Sequence, residues 1–265
     1  MMKICEPVLK NEYFSVEVDK SHYQENGIEF KKFPEALYAT DVFFCQGSRP
    51  QGSFADQLVF FSGKHHLYGL KTEVSVNAHG QAVNALIGIC GSKHDKSIFM
   101  ENISFHKKAT KKTKAEAIPS DNGDGGRQQP KKWGILLDKA YIGVQDTVRG
   151  IIPKKKPRAP GRLDNDAWQR NLDIASDRVI VENYFGRLTT MFGLFAKKYT
   201  WSRERFPVVM SIALSLTNFS VLKHPLRSQE VEYYKMILAD LDAKGEKAKN
   251  ANKERQRLYR ERQRQ

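Results

Sequence analysis

The sequence predicts an α/β fold with a mixed sheet, and three observations carry that assignment. Three β-rich runs follow one another between residues 36 and 90. Two shorter apolar runs appear at 133–137 and 150–153, and two long helical segments close the order at 172–192 and 205–222. The chain has 265 residues, of which 40% are hydrophobic and 11% aromatic, enough to bury a core, so a chain disordered throughout is excluded. No run approaches the roughly 18 apolar residues of a membrane span, and residues 1–10 lack a signal-peptide apolar stretch. Cys5, Cys45 and Cys90 are widely separated and form no CxxC, which argues against a disulfide scaffold or a cysteine zinc site and suits a reducing intracellular compartment.

The elements follow in order. Residues 1–32 form an N-terminal arm in which Tyr13, Phe14, Val16 and Val18 suggest a short strand or extended segment. Ala36–Cys45 (ALYATDVFFC) is rich in β-formers. Leu67–Asn77 alternates, with Leu70, Thr72, Val74 and Val76 on one side and Lys71, Glu73 and Ser75 on the other. His79-Gly80 makes a turn into the apolar run Gln81–Cys90, so the three runs read as an antiparallel meander. A helix is expected from about His94 to Phe105 with Ser92 as its cap. Trp133–Leu137 reads as a buried strand ending at Asp138, and Gly150–Pro153 as a further one. Leu172–Phe192 carries a helical stripe through Ile174, Val181, Tyr184, Phe185 and Leu188, and a last apolar helix spans Arg205–Leu222.

Lys and Arg number 44 against 30 Asp and Glu, a formal charge of +14 that points to a polyanion, most often nucleic acid. The excess is concentrated. Residues 106–132 hold eight Lys/Arg around a DNGDGG run and read as a basic flexible insertion. PKKKPRAPGR (153–162) is a proline-flanked basic loop and also the pattern of a nuclear localisation signal. The tail from 228 is charged, either helical or disordered, with nine Lys/Arg between 244 and 265.

Three acids stand where a neutral residue packs better. Asp41 interrupts YATDVFFC, Asp138 follows GILL, and Glu182 lies within RVIVENYF. Each alone reads as a paired or edge acid, and Arg178 is one helical turn before Glu182, a natural ion-pair partner. All three together are better explained by a divalent metal, since Mg²⁺ or Mn²⁺ takes hard oxygen ligands from separate elements and serves phosphodiester cleavage.

Asp41, Asp138 in LLDKAY and Glu182 in SDRVIVENYFGRL resemble the acidic triad of DDE transposases. FPEALYATDVFF, FFSGKHHLYGLKTEVSV and GSKHDKSIF extend that resemblance to the PIF/Harbinger-like group of DDE superfamily endonucleases, over roughly 33–227. The resemblance implies an RNase H-like mixed β-sheet flanked by helices. It also implies a two-metal DNA endonuclease in which Asp41, Asp138 and Glu182 are catalytic and hold Mg²⁺ or Mn²⁺, hydrolysing DNA strands with strand transfer as a second outcome. Val42 and Ala140 stand where family members commonly carry Gly. About 32 residues precede the matched region, too few for a helix-turn-helix domain, so a separately encoded DNA-binding protein is an expected partner alongside DNA. No membrane partner is expected, an oligomer is compatible, and the nucleus is the expected compartment.

Lys139 beside Asp138, and Lys154, Lys155, Lys156 and Arg158 near the same sheet edge, are the expected DNA phosphate contacts. His94-Asp95 reads as a metal contact or helix cap, His65-His66 as a strand start, His224 as surface, and Tyr184 and Phe185 as core. The alternative to an endonuclease is a domesticated, catalytically inactive relative that binds DNA or a protein; the complete triad favours the enzyme.

Overall fold

The computed structural model describes residues 2–14, 18–114, 116, 131–156 and 163–263. In chain order the elements begin with helices α1 (Met2–Tyr13) and α2 (Lys20–Glu25), strand β1 (Ala36–Gln46), helix α3 (Phe54–Leu58), and strands β2 (Phe61–Ser62), β3 (Leu67–Asn77) and β4 (Ala82–Cys90). They continue with helices α4 (Asp95–Glu101) and α5 (Ile103–Ala109), strands β5 (Gly134–Leu136) and β6 (Arg149–Ile151), and helices α6 (Asn165–Met191), α7 (Gly193–Ala196), α8 (Phe206–Lys223) and α9 (Glu230–Arg262).

β1, β3 and β4 are antiparallel neighbours, and β5 and β6 lie parallel to β1 on its other side, giving the spatial order β4-β3-β1-β5-β6 with the two-residue β2 pairing the start of β3. This mixed sheet, covered by helices, is RNase H-like, as the resemblance implies. β3 spans the predicted residues, and the turn at His79-Gly80 is present with Gly80 at φ +84°.

Both faces of the sheet are buried, which the alternation of β3 did not predict. One core joins Ala39, Phe43, Cys45 and Val74 to α6 and α8; the other joins Leu37, Tyr38, Ile135 and Leu137 to Phe99 and Tyr141. Lys71 and Glu73 therefore face helices α4 and α5 rather than water. Lys71 donates to Asp95 (2.9 Å) and the Lys93 carbonyl (2.7 Å). Glu73, wholly buried, accepts from Asn102 (2.9 Å) and lies 3.2 Å from His106 Nε2. Lys71 and Glu73 Oε1 are satisfied there, while Glu73 Oε2 is left without a hydrogen-bond partner among the described residues.

Several expectations change. Tyr13 ends a helix rather than starting a strand: α1 packs along α8, where Asn218 donates to the Tyr13 carbonyl (2.8 Å) and the Tyr13 ring meets Phe219 edge-on. Val16 lies outside the described residues. The helix expected at 94–105 is two helices broken at Asn102, and its cap position is His94, not Ser92. The insertion expected at 106–132 is helical as far as Ala109, and Lys111 and Lys132 then pair as a β-bridge; residues 117–130 lie outside the described residues. By length and composition the stretch Arg203–Lys223 is apolar enough to cross a membrane, but over half of its apolar window is buried, and α8 packs against α1, β4 and α6.

The tail from residue 228 carries a long helix whose first half packs into the fold. Val231, Tyr234 and Leu241 of α9 are buried, whereas residues 251–262 are exposed. The seam with α6 is tight at Gly186, where a Cβ atom would come within 2.1 Å of the Glu230 carbonyl oxygen. Arg187 clamps the Glu230 carboxylate at 3.0 and 3.1 Å through Nε, and Asn183 accepts the Val231 N–H (2.8 Å).

Candidate active site

Three elements deliver the acids. Asp41 lies in the middle of β1, and strand alternation sends its side chain to the α6 side, with Ala39 and Phe43. Asp138 stands two residues beyond the end of β5, in extended backbone, and opens a one-turn 3-10 helix, Lys139–Tyr141. β1 and β5 are parallel with Ala39 opposite Leu136, so both aspartates sit at the same level of the sheet. Glu182 lies on α6, whose N-terminus is capped by the Asp164 side chain on the Ala167 N–H (2.6 Å). Asp177 on the same helix accepts the Lys32 and Phe33 N–H groups (2.9 and 3.0 Å), which ties α6 to the segment entering β1.

Arg178 occupies the centre of this arrangement. Its Nη2 donates to Asp41 Oδ2 at 3.0 Å, and its Nη1 is 3.9 Å from Asp138 Oδ1. The expected partner, Glu182, feels the guanidinium only through space. The Arg178 side chain is 9% exposed, against 27% for Asp41 and 49% for Asp138, and its Nε has no hydrogen-bond partner among the described residues. A guanidinium thus bridges two carboxylates that would otherwise repel each other.

The electrostatics run the same way. Burial raises the Asp41 carboxyl above its usual 3.8; Arg178, the Val42 N–H and Lys64 oppose that rise, and Asp138 adds to it. Burial likewise raises Glu182 above 4.5, opposed by Arg178 and reinforced by Asp41 and Asp138. The three acids therefore sense one another, and the site holds more negative charge than its burial favours. Among the described residues no group of three His, Cys, Asp or Glu side chains stands ready as a metal cluster. The donor set nevertheless fits a hard divalent cation in kind, with carboxylate oxygens alone, drawn from separate elements, and a positive charge already required between two of them.

The remaining predicted residues fall around this centre. Lys139 is exposed beside Asp138. Lys154, Lys155 and Lys156 are exposed just beyond β6, on the strand-end edge that carries Asp138, and the Lys154 backbone is fixed on α6 by Asn171 (2.8 and 3.0 Å). Arg158 lies outside the described residues. Asp95 is engaged by Lys71, with Lys64 at 4.0 Å, and His94 makes no side-chain cap bond. His65 is buried under Phe44, with ring centroids 4.5 Å apart, and lies 3.4 Å from Asp242 of α9. Tyr184 and Phe185 are core residues.

Sequence reasoning missed the contribution of α9. Tyr234 packs on Phe43 and Phe185, and its hydroxyl is pushed well up by burial, with Asp41 and Glu182 adding to the effect. Lys235 is close enough to Glu182 to oppose its raised pKa. The spacing of Val231, Tyr234, Leu238 and Leu241 was the available signal.

The family model of the DDE superfamily endonucleases matches residues 40–218, about two thirds of the chain. No curated protein and no solved structure matches. The matched span takes in all three acids, most of β1, all of β5 and the helix that bears Arg178 and Glu182, and the chain belongs to the DDE superfamily endonuclease family.

Proposed function

We propose that this chain cuts DNA phosphodiester bonds at the centre formed by Asp41, Asp138 and Glu182, and that it works in the nucleus. The observation that carries this reading is Arg178: a buried guanidinium joins acids from two strands one helical turn from the third acid, on the matched family span. Asp41 and Asp138 would hold one Mg²⁺ or Mn²⁺ between them, and Glu182 would complete the site. Divalent ions bound there supply charge stabilisation at the scissile phosphate and ready a water, or a DNA 3′-hydroxyl, for attack. The protein's own part is to position three carboxylates and to keep Asp41 and Asp138 paired with Arg178 in the absence of the ion. Lys139, Lys154, Lys155, Lys156 and Arg158 would hold the DNA backbone without reading its sequence.

Nicking of supercoiled plasmid tests this reading. The wild-type chain should nick with Mg²⁺ or Mn²⁺ and not in EDTA, and Asp138→Asn and Glu182→Gln should each abolish the reaction. Equal nicking by the variants would refute it. A second reading, an inactive DNA- or protein-binding relative, is favoured by the same guanidinium, because a permanent Arg178–Asp41 pair would keep metal out. DNA binding with no metal-dependent cleavage and no metal affinity would select that reading.

A further inference from the structure

Beyond the acid centre, a cavity of about 310 Å³ opens where the end of β1 meets the segment linking α7 to α8. Cys45, Gly47 and Gly69 contribute to its lining, and the Tyr199 N–H donates to the Gln46 carbonyl (2.7 Å), which fixes that segment against the strand. The rest of the lining is mostly aromatic and hydroxylic, with Phe60, Tyr199 and Trp201 beside Ser48, Thr200 and Ser202, and one carboxylate, Glu204, stands next to Arg203. Arg203 lies at the cavity with its guanidinium 4.5 Å from the Phe60 ring centroid and Nη2 on the Ser48 carbonyl (3.4 Å).

Two features at or beside this cavity suit a ligand. Trp201 is 51% exposed, although burying an indole is strongly favourable. Lys197, Lys198 and Arg205 lie on the same α7–α8 segment outside the cavity lining, are exposed, and make no ion pair among the described residues. Flat aromatic surface, hydroxyl groups and unpaired cations together match one ligand chemistry, an unpaired nucleobase on a phosphodiester strand. Duplex DNA would meet the cations but leave the aromatic surface unused.

The position agrees. Asp41, Phe43 and Cys45 point to the same side of β1, so the cavity lies on the face that carries Asp41. Four residues of strand at about 3.3 Å each put Cys45 about 13 Å beyond Asp41. Phe185, Phe195 and Tyr234 cover Phe43 between the two places, so a DNA strand reaching both runs outside that core.

We propose that the cavity between Phe60 and Trp201 captures an unpaired base of the DNA strand by stacking on Trp201 with Arg203 at the phosphate. The proposal rests on the DNA reading above and adds a preference for unpaired over fully paired DNA.

Fluorescence anisotropy of the full chain in EDTA tests it, with a 20-nucleotide single strand, a blunt 20-base-pair duplex and deoxyadenosine monophosphate as probes. Trp201→Ala should weaken single-strand binding about tenfold or more, the scale of one base–aromatic stack, while leaving the salt dependence intact. Trp201→Phe should lose much less, and duplex affinity should change less than twofold in both variants. Unchanged thermal midpoints would show that both variants fold. The inference is overturned if Trp201→Ala binds the single strand like wild type, if single strand and duplex lose equally, or if the mononucleotide binds as tightly as the strand. Wild-type protein that binds neither DNA would instead sink the DNA reading itself.

Discussion

Arg178→Gln is the most informative single change. The guanidinium is 9% exposed and holds Asp41 at 3.0 Å; Asp41 is 27% exposed, so solvent screens the pair only in part. At an effective dielectric near 20, unit charges at that distance attract by about 5 kcal/mol. Breaking a buried pair typically costs about 3–5 kcal/mol, because the surviving charge stays desolvated. Water near Asp41 argues for the low end, about 3 kcal/mol, which in a chain of this size lowers the melting midpoint by about 6–12 °C. Differential scanning calorimetry with and without Mn²⁺ reads the rest. The ion and the guanidinium compete for the same oxygens, so Mn²⁺ should bind more tightly to Arg178→Gln and restore much of the lost midpoint. An ion at about 100 times its dissociation constant stabilises by about 2.7 kcal/mol. Arg178→Lys should fall between the two. A variant that melts like wild type, or gains no more from Mn²⁺ than wild type does, would refute the competition.

Other expectations follow from the same geometry. Gly186→Ala drives a methyl against the Glu230 carbonyl and should cost about 1–3 kcal/mol, read by urea denaturation, with α9 the first region to lose amide-exchange protection. His65 is held below its usual 6.5, chiefly by burial. The unfolded chain then binds a proton that the folded one refuses, so stability should fall as pH drops from about 6.5 towards the lowered value; His65→Gln should flatten that part of the pH–stability curve. Asp41 and Glu182 act with the opposite sign. Their raised pKa values make the folded state the better proton binder, so between those values and the usual 3.8 and 4.5 their contribution grows as pH falls, and Asp41→Asn should remove its share. Neutralising Lys154, Lys155 and Lys156 together should weaken DNA binding regardless of sequence and reduce the salt slope by about 3.

Local pattern made the sheet and the long helices readable: β3 matches its alternating run, and β1, β4, α6 and α8 lie where β-rich runs and apolar stripes put them. What stayed hidden depends on distant partners. Lys71 and Glu73 read only as the side opposite Leu70 and Val74, because alternation reports the side of a strand and not what covers it; Asp95, Asn102 and His106 cover it. Arg178 read as a partner of Glu182 because the two share a helical face, yet β1 and β5 present their acids to the same guanidinium, and Asp41 gains the bond. The charged end of α9 obscured the apolar stripe at its start, so its packing over Phe43 and near Glu182 went unread. The three acids were legible as a set because each is the lone acid of a short apolar run, YATDVFFC, GILLD and RVIVENYF. Glu73, in a strand with a second charge, escaped that filter and belongs to the opposite core.

The central claim is that Asp41, Asp138 and Glu182 form a metal-dependent cleavage centre. Anomalous scattering from a crystal grown with Mn²⁺ and an uncleavable DNA strand tests it most directly. Anomalous density is expected against all three carboxylates, with the Arg178 guanidinium moved off Asp41. Arg178 still bonded to Asp41, with no density at the acids, would contradict it.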